Sequence, residues 1–258
     1  MRFPSRPKGS LFPLAPLLVA AAAGFSSVAS ADEFNSAQRA EIVAVVRDAL
    51  KRDPSILRDA VIALQNDDGE REKSASHAAL VAARDALITP NDPVGGNPRG
   101  NVTIVEFFDV RCPYCKRLEP TMDKLLKQDH GVRLVYKDLP ILGPASVLGT
   151  KALLAAQLQE TKVPGAYIKL REALMLGGGD VNKETIHAAA QRLGLDWERL
   201  QKDMDSADVQ TRIDANLKLA HELGIEGTPA MVIGKDLVPG AVDFAELDDA
   251  VKKARKQP

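Results

Sequence analysis

Cysteine is scarce in this chain, with only two among 258 residues. The two, Cys112 and Cys115, lie three positions apart in the sequence. A disulfide that closes so short a loop adds little stability, because the unfolded chain loses little freedom when it forms. The sequence therefore lacks a set of stapling disulfides, and the pair is better explained by chemical reactivity.

A second pair of metal-ligating residues is also lacking. A structural zinc site usually takes four ligands from cysteine and histidine, but the four histidines are scattered without helical spacing. They are His77, His130, His187 and His221. No metal and no cofactor is therefore predicted, although a copper site that uses both thiols stays open as an alternative.

The chain has no excess of positive charge and few aromatic residues, 4% of the total. Without residues 1–31, the chain has 31 basic and 35 acidic residues, which gives a net charge of −4. A mildly acidic protein without a basic stripe is a poor candidate for nucleic-acid binding. Beyond the N-terminal segment, no run is long and apolar enough to predict a membrane span.

Residues 1–31 have the pattern of an export signal peptide. A basic start precedes an apolar run over residues 11–25, and Ala29-Ser30-Ala31 forms a small-residue cleavage pattern. Cleavage is predicted after Ala31, and we expect a periplasmic location. The apolar run is short and interrupted by prolines, although a retained signal anchor stays open as the alternative.

Residues 32–89 predict short amphipathic helices. In the first, apolar residues recur at helical spacing: Ile42, Val45, Val46, Ala49 and Leu50. Pro54 suits the first turn of a second helix, and Asn66–Gly69 predicts a turn before a third helix over residues 70–88. Because so few helices cannot bury their own apolar faces, we expect them to pack on the main domain or, preferably, on another copy of the chain.

The remainder, residues 90–258, predicts a mixed α/β domain. Residues 90–100 resemble a linker rich in proline and glycine, and the apolar residues 102–108 predict a buried strand. A helix over 113–128 and a strand over 132–137 complete a strand–helix–strand unit. A long helical insertion is predicted at about 144–223, followed by a strand over 227–234, a turn over 238–241 and a last helix over 244–255.

The string from Phe107 to Cys115 carries the chemistry. A buried strand delivers Cys112 to the start of a helix, where unpaired backbone N–H groups and the helix dipole favour a thiolate, the attacking species in disulfide exchange. Pro113 fits the first turn because it needs no hydrogen-bond donor there. Cys115 lies one turn along and can resolve a mixed disulfide. Arg111 could support the thiolate or point to solvent.

Two further elements are candidates for the site. Glu106 lies in the predicted buried strand, where a carboxyl of raised pKa could shuttle protons for Cys115, unless it turns to solvent at the strand end. Thr228-Pro229 suggests a cis peptide, with an ordinary trans turn as the alternative. Its backbone could pair with an extended substrate peptide.

Taken together, Glu106-Phe107-Phe108 before Cys-Pro-Tyr-Cys, the helical insertion and Gly227-Thr228-Pro229 resemble the DsbA-like branch of the thioredoxin superfamily. The resemblance implies a thioredoxin fold with a helical insertion and catalytic roles for Cys112, Cys115 and Glu106. It also implies substrate contacts at Thr228, Pro229, Pro113 and Tyr114. Tyr114 departs from the histidine of strongly oxidising DsbA proteins, which puts the strongest oxidising power in doubt.

The N-terminal string Asp53–Leu57 within paired helices is similar to ScsC-type proteins, suppressors of copper sensitivity. That resemblance implies that residues 32–89 can mediate homo-oligomerisation. The predicted function is a periplasmic thiol–disulfide oxidoreductase acting on cysteine-bearing proteins, an isomerase or reductase, served by a membrane redox partner. A DsbA-like oxidase, a copper-tolerance protein and a non-catalytic adhesin or chaperone remain as alternatives, the last disfavoured because both cysteines are present.

Overall fold

The structure, a computed structural model, describes residues 34–257. The predicted signal peptide, residues 1–31, lies outside the described residues. The chain divides into two compact units, one ending at Ile62 and the other beginning at Ala63. No helix within the described residues combines the length and the apolar character that crossing a membrane requires.

The N-terminal part consists of helices with exposed apolar residues. Helix α1 spans Ser36–Arg52 and begins with a capping box, in which the Asn35 side chain accepts from the backbone N–H of Gln38. Helix α2 spans Ser55–Ala82, and the short α3 spans Arg84–Leu87. Most large apolar side chains in the described part of the first unit are exposed: Phe34, Ile42, Val43, Val45, Val46, Ile56, Leu57, Val61 and Ile62.

The predicted turn at Asn66–Gly69 is wrong, because α2 continues through it. An ion pair of 3.0 Å between Asp67 and Arg71 spans one helical turn there. Gly69 costs a helix interior about 1 kcal/mol relative to alanine, and the rest of the helix outweighs that cost.

The second unit contains a five-stranded sheet in the order β1-β3-β2-β4-β5. Central strand β2, Val102–Phe108, runs parallel to β3, Val132–Asp138, and antiparallel to β4, Ala230–Ile233. The edge strands are β1, Val94–Gly96, and β5, Asp236–Pro239. Both edge strands lie where the sequence predicted a linker and a turn, so these two expectations are wrong.

Helices cover both faces of this sheet, as the near-continuous apolar character of β2 predicts. Helix α4, Pro113–Gln128, joins β2 to β3, and α10, Phe244–Arg255, follows β5. Between β3 and β4 the chain forms α5, Pro144–Gln157; α6, Ala166–Leu176; α7, Lys183–Leu193; α8, Trp197–Met204; and α9, Ala207–Glu222. The predicted fold class, an α/β thioredoxin fold with a helical insertion and an N-terminal helical segment, is confirmed.

The side chains of β2 alternate between two hydrophobic clusters. Ile104 and Phe108 pack with residues of α4, α10 and the helical insertion. Val105 and Phe107 pack on the opposite face with Leu80 and Leu87, among others. Leu80 and Leu87 are 6% and 8% exposed, so the end of α2 and α3 form part of the core of the second unit.

Candidate active site

The cysteine pair lies at the start of helix α4, which follows the central strand β2. Cys112 is the N-cap of α4, and Pro113 occupies its first turn. This position leaves the first N–H groups of α4 without helical partners and puts the positive end of the helix dipole beside the sulfur of Cys112. Both cysteines are free thiols and both are buried, with Cys112 4% exposed and Cys115 fully enclosed.

The loop before β4 lies against Cys112. The Thr228–Pro229 peptide is cis, and the Cys112 thiol donates to the Thr228 carbonyl oxygen across 3.2 Å. The Gly240 N–H donates to the Pro229 carbonyl at 2.8 Å, which ties the loop to the end of β5. The structure thus brings together Cys112 and Thr228, which are 116 positions apart.

Arg111, Pro113 and Tyr114 are the exposed residues between Arg111 and Cys115. Tyr114 is 54% exposed, and the Arg117 guanidinium carbon lies 5.0 Å from the centre of its ring. The Arg111 Nη1 donates to the Leu142 carbonyl at 2.9 Å. Arg111 therefore bridges to the loop before α5 at the surface.

A buried carboxylate absent from the sequence prediction fixes this loop. Asp109 is fully enclosed, and its Oδ1 accepts from the Arg111 N–H at 2.8 Å. Its Oδ2 accepts from the N–H groups of Ile141 and Leu142, each at 3.0 Å. Asp109 therefore joins the cysteine loop to the loop that leads into the helical insertion.

Burial has the largest effect on the pKa of Cys115, the predicted resolving cysteine. It raises the pKa of the Cys115 thiol well above its ordinary value, against a lowering hydrogen bond from the Asp109 backbone. The neighbouring Cys112 and Glu106 raise it further through their charges. Cys115 therefore holds its proton firmly unless a nearby group accepts it.

Glu106 is buried in β2, not turned to solvent, with no part of its surface exposed. Burial raises its pKa to about 7, against the lowering effect of Arg171 and with a further increase from Glu119. Its Oε2 lies 3.5 Å from Nη2 of Arg171. Its Oε1 has no hydrogen-bond partner among the described residues.

Arg171 and Glu119 are missing from the sequence prediction. Arg171 belongs to α6 of the helical insertion, is 2% exposed, and contacts both carboxylates. A signal was available in the sequence: in α6, Arg171 lies one helical turn after Tyr167 and one before Leu174, on an apolar face. Glu119 likewise lies one turn after Cys115 in α4.

A third enclosed carboxyl lies at the end of β3. The Tyr167 hydroxyl donates to Oδ2 of Asp138 at 2.8 Å, and Oδ1 of Asp138 has no partner among the described residues. Burial raises the pKa of Asp138 to about 7, against the lowering effect of the Tyr167 hydrogen bond. Among residues 34–257 no cluster of three or more histidine, cysteine or acidic side chains could hold a metal ion.

Two family models match the chain. The model described as the DSBA-like thioredoxin domain matches residues 103–252, and the model described as the copper resistance protein ScsC N-terminal domain matches residues 38–70. The first match covers more than half of the chain.

Solved structures with this fold include relatives above 30% identity. A thioredoxin-like oxidoreductase from Silicibacter pomeroyi is 44% identical, with a TM-score of 0.64, over 68% of this chain and 99% of that one. Proteus mirabilis ScsC in a transitional conformation is 34% identical, with a TM-score of 0.62. The match covers 86% of this chain and 97% of the Proteus chain.

Curated relatives match at lower identity. The thiol:disulfide interchange protein DsbA of Bordetella parapertussis is 28% identical over 56% of this chain and 68% of its own length. The Na(+)/H(+) antiporter NhaA 1 of Salinispora arenicola is 28% identical over 65% of this chain. The chain spans about a quarter of the length of such antiporters, 26% in that case. From the family match, the likeness to the ScsC structure and the geometry of the cysteine pair, the chain belongs to the DSBA-like thioredoxin domain family, as a protein of ScsC type.

Proposed function

We propose that the protein is a thiol–disulfide oxidoreductase that acts on cysteine-bearing proteins through Cys112 and Cys115. The observation that carries this proposal is the position of the Cys112 sulfur. It lies at the N-terminal end of α4 and 3.2 Å from the Thr228 carbonyl. Such a site puts the sulfur beside unpaired backbone N–H groups and leaves a backbone edge beside it for a substrate chain.

In the reducing direction the Cys112 thiolate attacks a disulfide of the client. The client S–S bond breaks, one client thiolate leaves, and a mixed disulfide with Cys112 forms. Cys115, after losing its proton, then attacks the Cys112 sulfur and releases the second client thiolate. Two electrons pass from the cysteine pair to the client, and the protein is left with the Cys112–Cys115 disulfide.

Isomerisation uses only the first half of that sequence. In the mixed disulfide, another client thiolate attacks a client sulfur, so that the client pairing changes and Cys112 leaves as a thiolate. No net electrons are transferred. Cys115 provides the escape when rearrangement fails.

Glu106 is the proposed proton carrier for Cys115. A carboxyl whose pKa is about 7 can accept and return a proton near neutral pH, where general acid–base catalysis is most efficient. The raised pKa of Cys115 makes such an acceptor necessary. When Cys115 leaves as a thiolate in the oxidising direction, the protonated carboxyl can return the proton.

Thr228, Pro229, Pro113 and Tyr114 are the proposed substrate contacts. An extended client segment would lie across the cis-proline loop and exchange backbone hydrogen bonds with it. The exposed Tyr114 ring would add an apolar contact beside the reacting sulfur.

We favour an isomerase or reductase over an oxidase because of the N-terminal helices. Their apolar residues are about half exposed, for example Val46 at 51% and Leu57 at 54%. The match to the ScsC N-terminal domain covers the same residues. Contiguous exposed apolar surface is typical of an interaction site, and an oligomer formed through it would present several cysteine pairs to one client.

A DsbA-like oxidase is the second candidate, favoured by the Bordetella relatives named as thiol:disulfide interchange proteins. For either direction we propose a periplasmic location after removal of residues 1–31, and a membrane partner that restores the redox state. An oxidase would need a partner that withdraws electrons. A reductase or isomerase would need one that supplies them.

The test is reactivation of scrambled ribonuclease by the chain from Asp32 onward, beside a variant that begins at Ala63. The truncation stops there because Leu80 and Leu87 belong to the core of the second unit. Strong reactivation that falls in the shorter chain supports an isomerase that depends on assembly. Fast oxidation of a reduced peptide by both chains, without reactivation, contradicts it and supports the oxidase.

A further inference from the structure

Arg171 is the only enclosed arginine among the buried polar and charged side chains of residues 34–257. It is carried by α6 of the helical insertion, yet its guanidinium reaches residues of β2, β3 and α4. We propose that Arg171 is a positioning residue through which the helical insertion holds the Glu106 carboxyl and controls its proton exchange with the buried cysteine. The part of this inference that concerns Cys115 rests on the proposed function.

The guanidinium lies in a corner formed by two aromatic rings, whose centres are 5.8 Å apart and whose planes meet at 73°. Its carbon lies 4.4 Å from the ring centre of Phe108 and 4.3 Å from that of Tyr136. Stacking on aromatic rings suits the planar, weakly hydrated guanidinium better than an ammonium group. This packing holds the guanidinium against residues of β2 and β3.

The N–H donors of Arg171 are shared unequally between two carboxylates. Nη1 donates to Oε2 of Glu119 at 2.9 Å, and Nη2 donates to Oε1 of Glu119 at 2.6 Å. This is a two-point pair. The same Nη2 lies 3.5 Å from Oε2 of Glu106, at the limit of a hydrogen bond.

Most of the hydrogen bonds of Arg171 therefore go to Glu119. Arg171 acts on Glu106 mainly through its positive charge. A direct two-point pair would keep Glu106 ionised. Without Arg171, burial would keep it protonated. The observed arrangement lies between these limits and accounts for a carboxyl that changes its charge near pH 7.

The groups that face Glu106 come from three elements. Arg171 from α6 lowers its pKa, and Glu119 from α4 raises it. Cys115 from α4 and Tyr136 from β3 interact electrostatically with it as well, and burial raises the pKa of each of these two groups. Arg171 is thus the cation that opposes the burial of Glu106.

Substitutions of Arg171 and of Glu119 distinguish the proposed role of Arg171 from a purely structural one, because the proposal predicts opposite shifts in the pKa of Glu106. Arg171→Met removes the cation and should raise the pKa of Glu106 by roughly one unit or more. Glu119→Gln removes a neighbouring negative charge and leaves Arg171 free to pair with Glu106, so the pKa should fall. Loss of packing alone gives no reason for shifts of opposite sign.

The first measurement is a carboxyl 13C NMR titration of Glu106 in the full chain, assigned with Glu106→Gln. Wild type, Arg171→Met, Arg171→Lys and Glu119→Gln are compared from pH 4 to 9. We expect the midpoint to rise in Arg171→Met, to return toward wild type in Arg171→Lys, and to fall in Glu119→Gln. Unshifted midpoints in Arg171→Met and Glu119→Gln, or shifts of these two variants in one common direction, overturn the proposal. If Arg171→Met does not fold, Glu119→Gln still decides, because an unchanged or raised midpoint in that variant overturns the proposal.

The second measurement follows the reaction of the dithiol with 5,5′-dithiobis(2-nitrobenzoic acid). Cys112 releases the first nitrothiobenzoate and forms a mixed disulfide, and Cys115 releases the second by closing the Cys112–Cys115 bond. The pH midpoint of the second phase should follow the NMR midpoint in every variant. A second phase that ignores shifted NMR midpoints overturns the link to Cys115. A wild-type chain with no second phase contradicts the proposed function, while the titration still tests Arg171 against Glu106.

Discussion

The two compact units differ in how far their large apolar side chains are exposed. In the first, β-branched and leucine side chains lie at the surface, as with Val45 at 63% exposed. In the second, most comparable side chains are enclosed, as with Leu153 at 0%. The enclosed set supports a sheet that fixes the cysteine loop, while the exposed set has no cover among the described residues of the first unit.

This difference separates two requirements of the proposed function. Disulfide chemistry needs a rigid site, which the second unit supplies through its core and through Asp109. Choice between oxidation and isomerisation needs an arrangement of several sites around a client, which an associating surface can supply. Substitutions in the second unit should therefore alter disulfide chemistry or stability. Substitutions in the first unit should alter assembly.

The largest expected effect belongs to the second unit. Cys112→Ser removes the attacking sulfur, so no mixed disulfide can form and both ribonuclease reactivation and peptide oxidation should be lost completely. Assembly, measured by sedimentation, should be unchanged. Residual reactivation above background would place the attacking thiol elsewhere.

A charge on the exposed face of α1 gives the next effect. Val46→Glu should disrupt assembly and lower ribonuclease reactivation severalfold, because burying an unpaired carboxylate at an apolar contact is costly. Peptide oxidation should stay at the wild-type rate. Ala44→Glu, on the opposite side of the same helix, is the matched control and should keep both activities. Equal loss in both variants would contradict a role for this apolar face.

Truncation of an apolar side chain to alanine should lower stability in the second unit but not in the first. Leu153→Ala empties an enclosed site and should lower the free energy of unfolding by about 2–5 kcal/mol. Val45→Ala should change it by less than about 0.5 kcal/mol. The single tryptophan, Trp197 in α8, reports the unfolding of the second unit in urea. Similar losses for the two variants would mean that Val45 is part of the core.

Stability should also depend on pH, because two buried carboxyls have raised pKa values. Glu106 and Asp138 have pKa values of about 7, above ordinary values of 4.5 and 3.8. Between about pH 4 and 7 the unfolded chain releases these protons while the folded protein keeps them. Their contribution to stability is therefore complete below pH 4 and is lost as the pH rises toward 7.

Each group should lower the free energy of unfolding by at most about 1.4 kcal/mol per pH unit within that window. Urea unfolding at pH 5 and pH 7 measures the slope. Glu106→Gln should reduce it, whereas Asp59→Asn, which changes an exposed residue of α2, should leave it unchanged. A slope that Glu106→Gln does not alter would contradict the raised pKa.

Features with a local cause could be predicted from the sequence. The predicted helix bounds 113–128, 166–176 and 183–193 agree with α4, α6 and α7, because apolar periodicity and capping residues are local signals. The same holds for β2, whose apolar run is continuous. The cis peptide at Thr228–Pro229 was also expected from the sequence.

Features that depend on distant partners were missed. Strand β1 contains two glycines and exists because it pairs with Val132–Asp138, and β5 carries Pro239 at its end. Both have weak intrinsic strand propensity, which pairing overrides. Arg171 was overlooked because its partner carboxylates are 52 and 65 positions away. Apolar spacing marks the face on which it lies but not the charges that it meets.

The most direct test of the central claim is to trap the intermediate. A Cys115→Ala variant cannot resolve a mixed disulfide, so after incubation with scrambled ribonuclease it should accumulate a covalent complex. Mass spectrometry of that complex should place the bond at Cys112, and a thiol reductant should release the client. Absence of such a complex, while the Cys112 thiol remains free and reduced, would contradict disulfide exchange through Cys112.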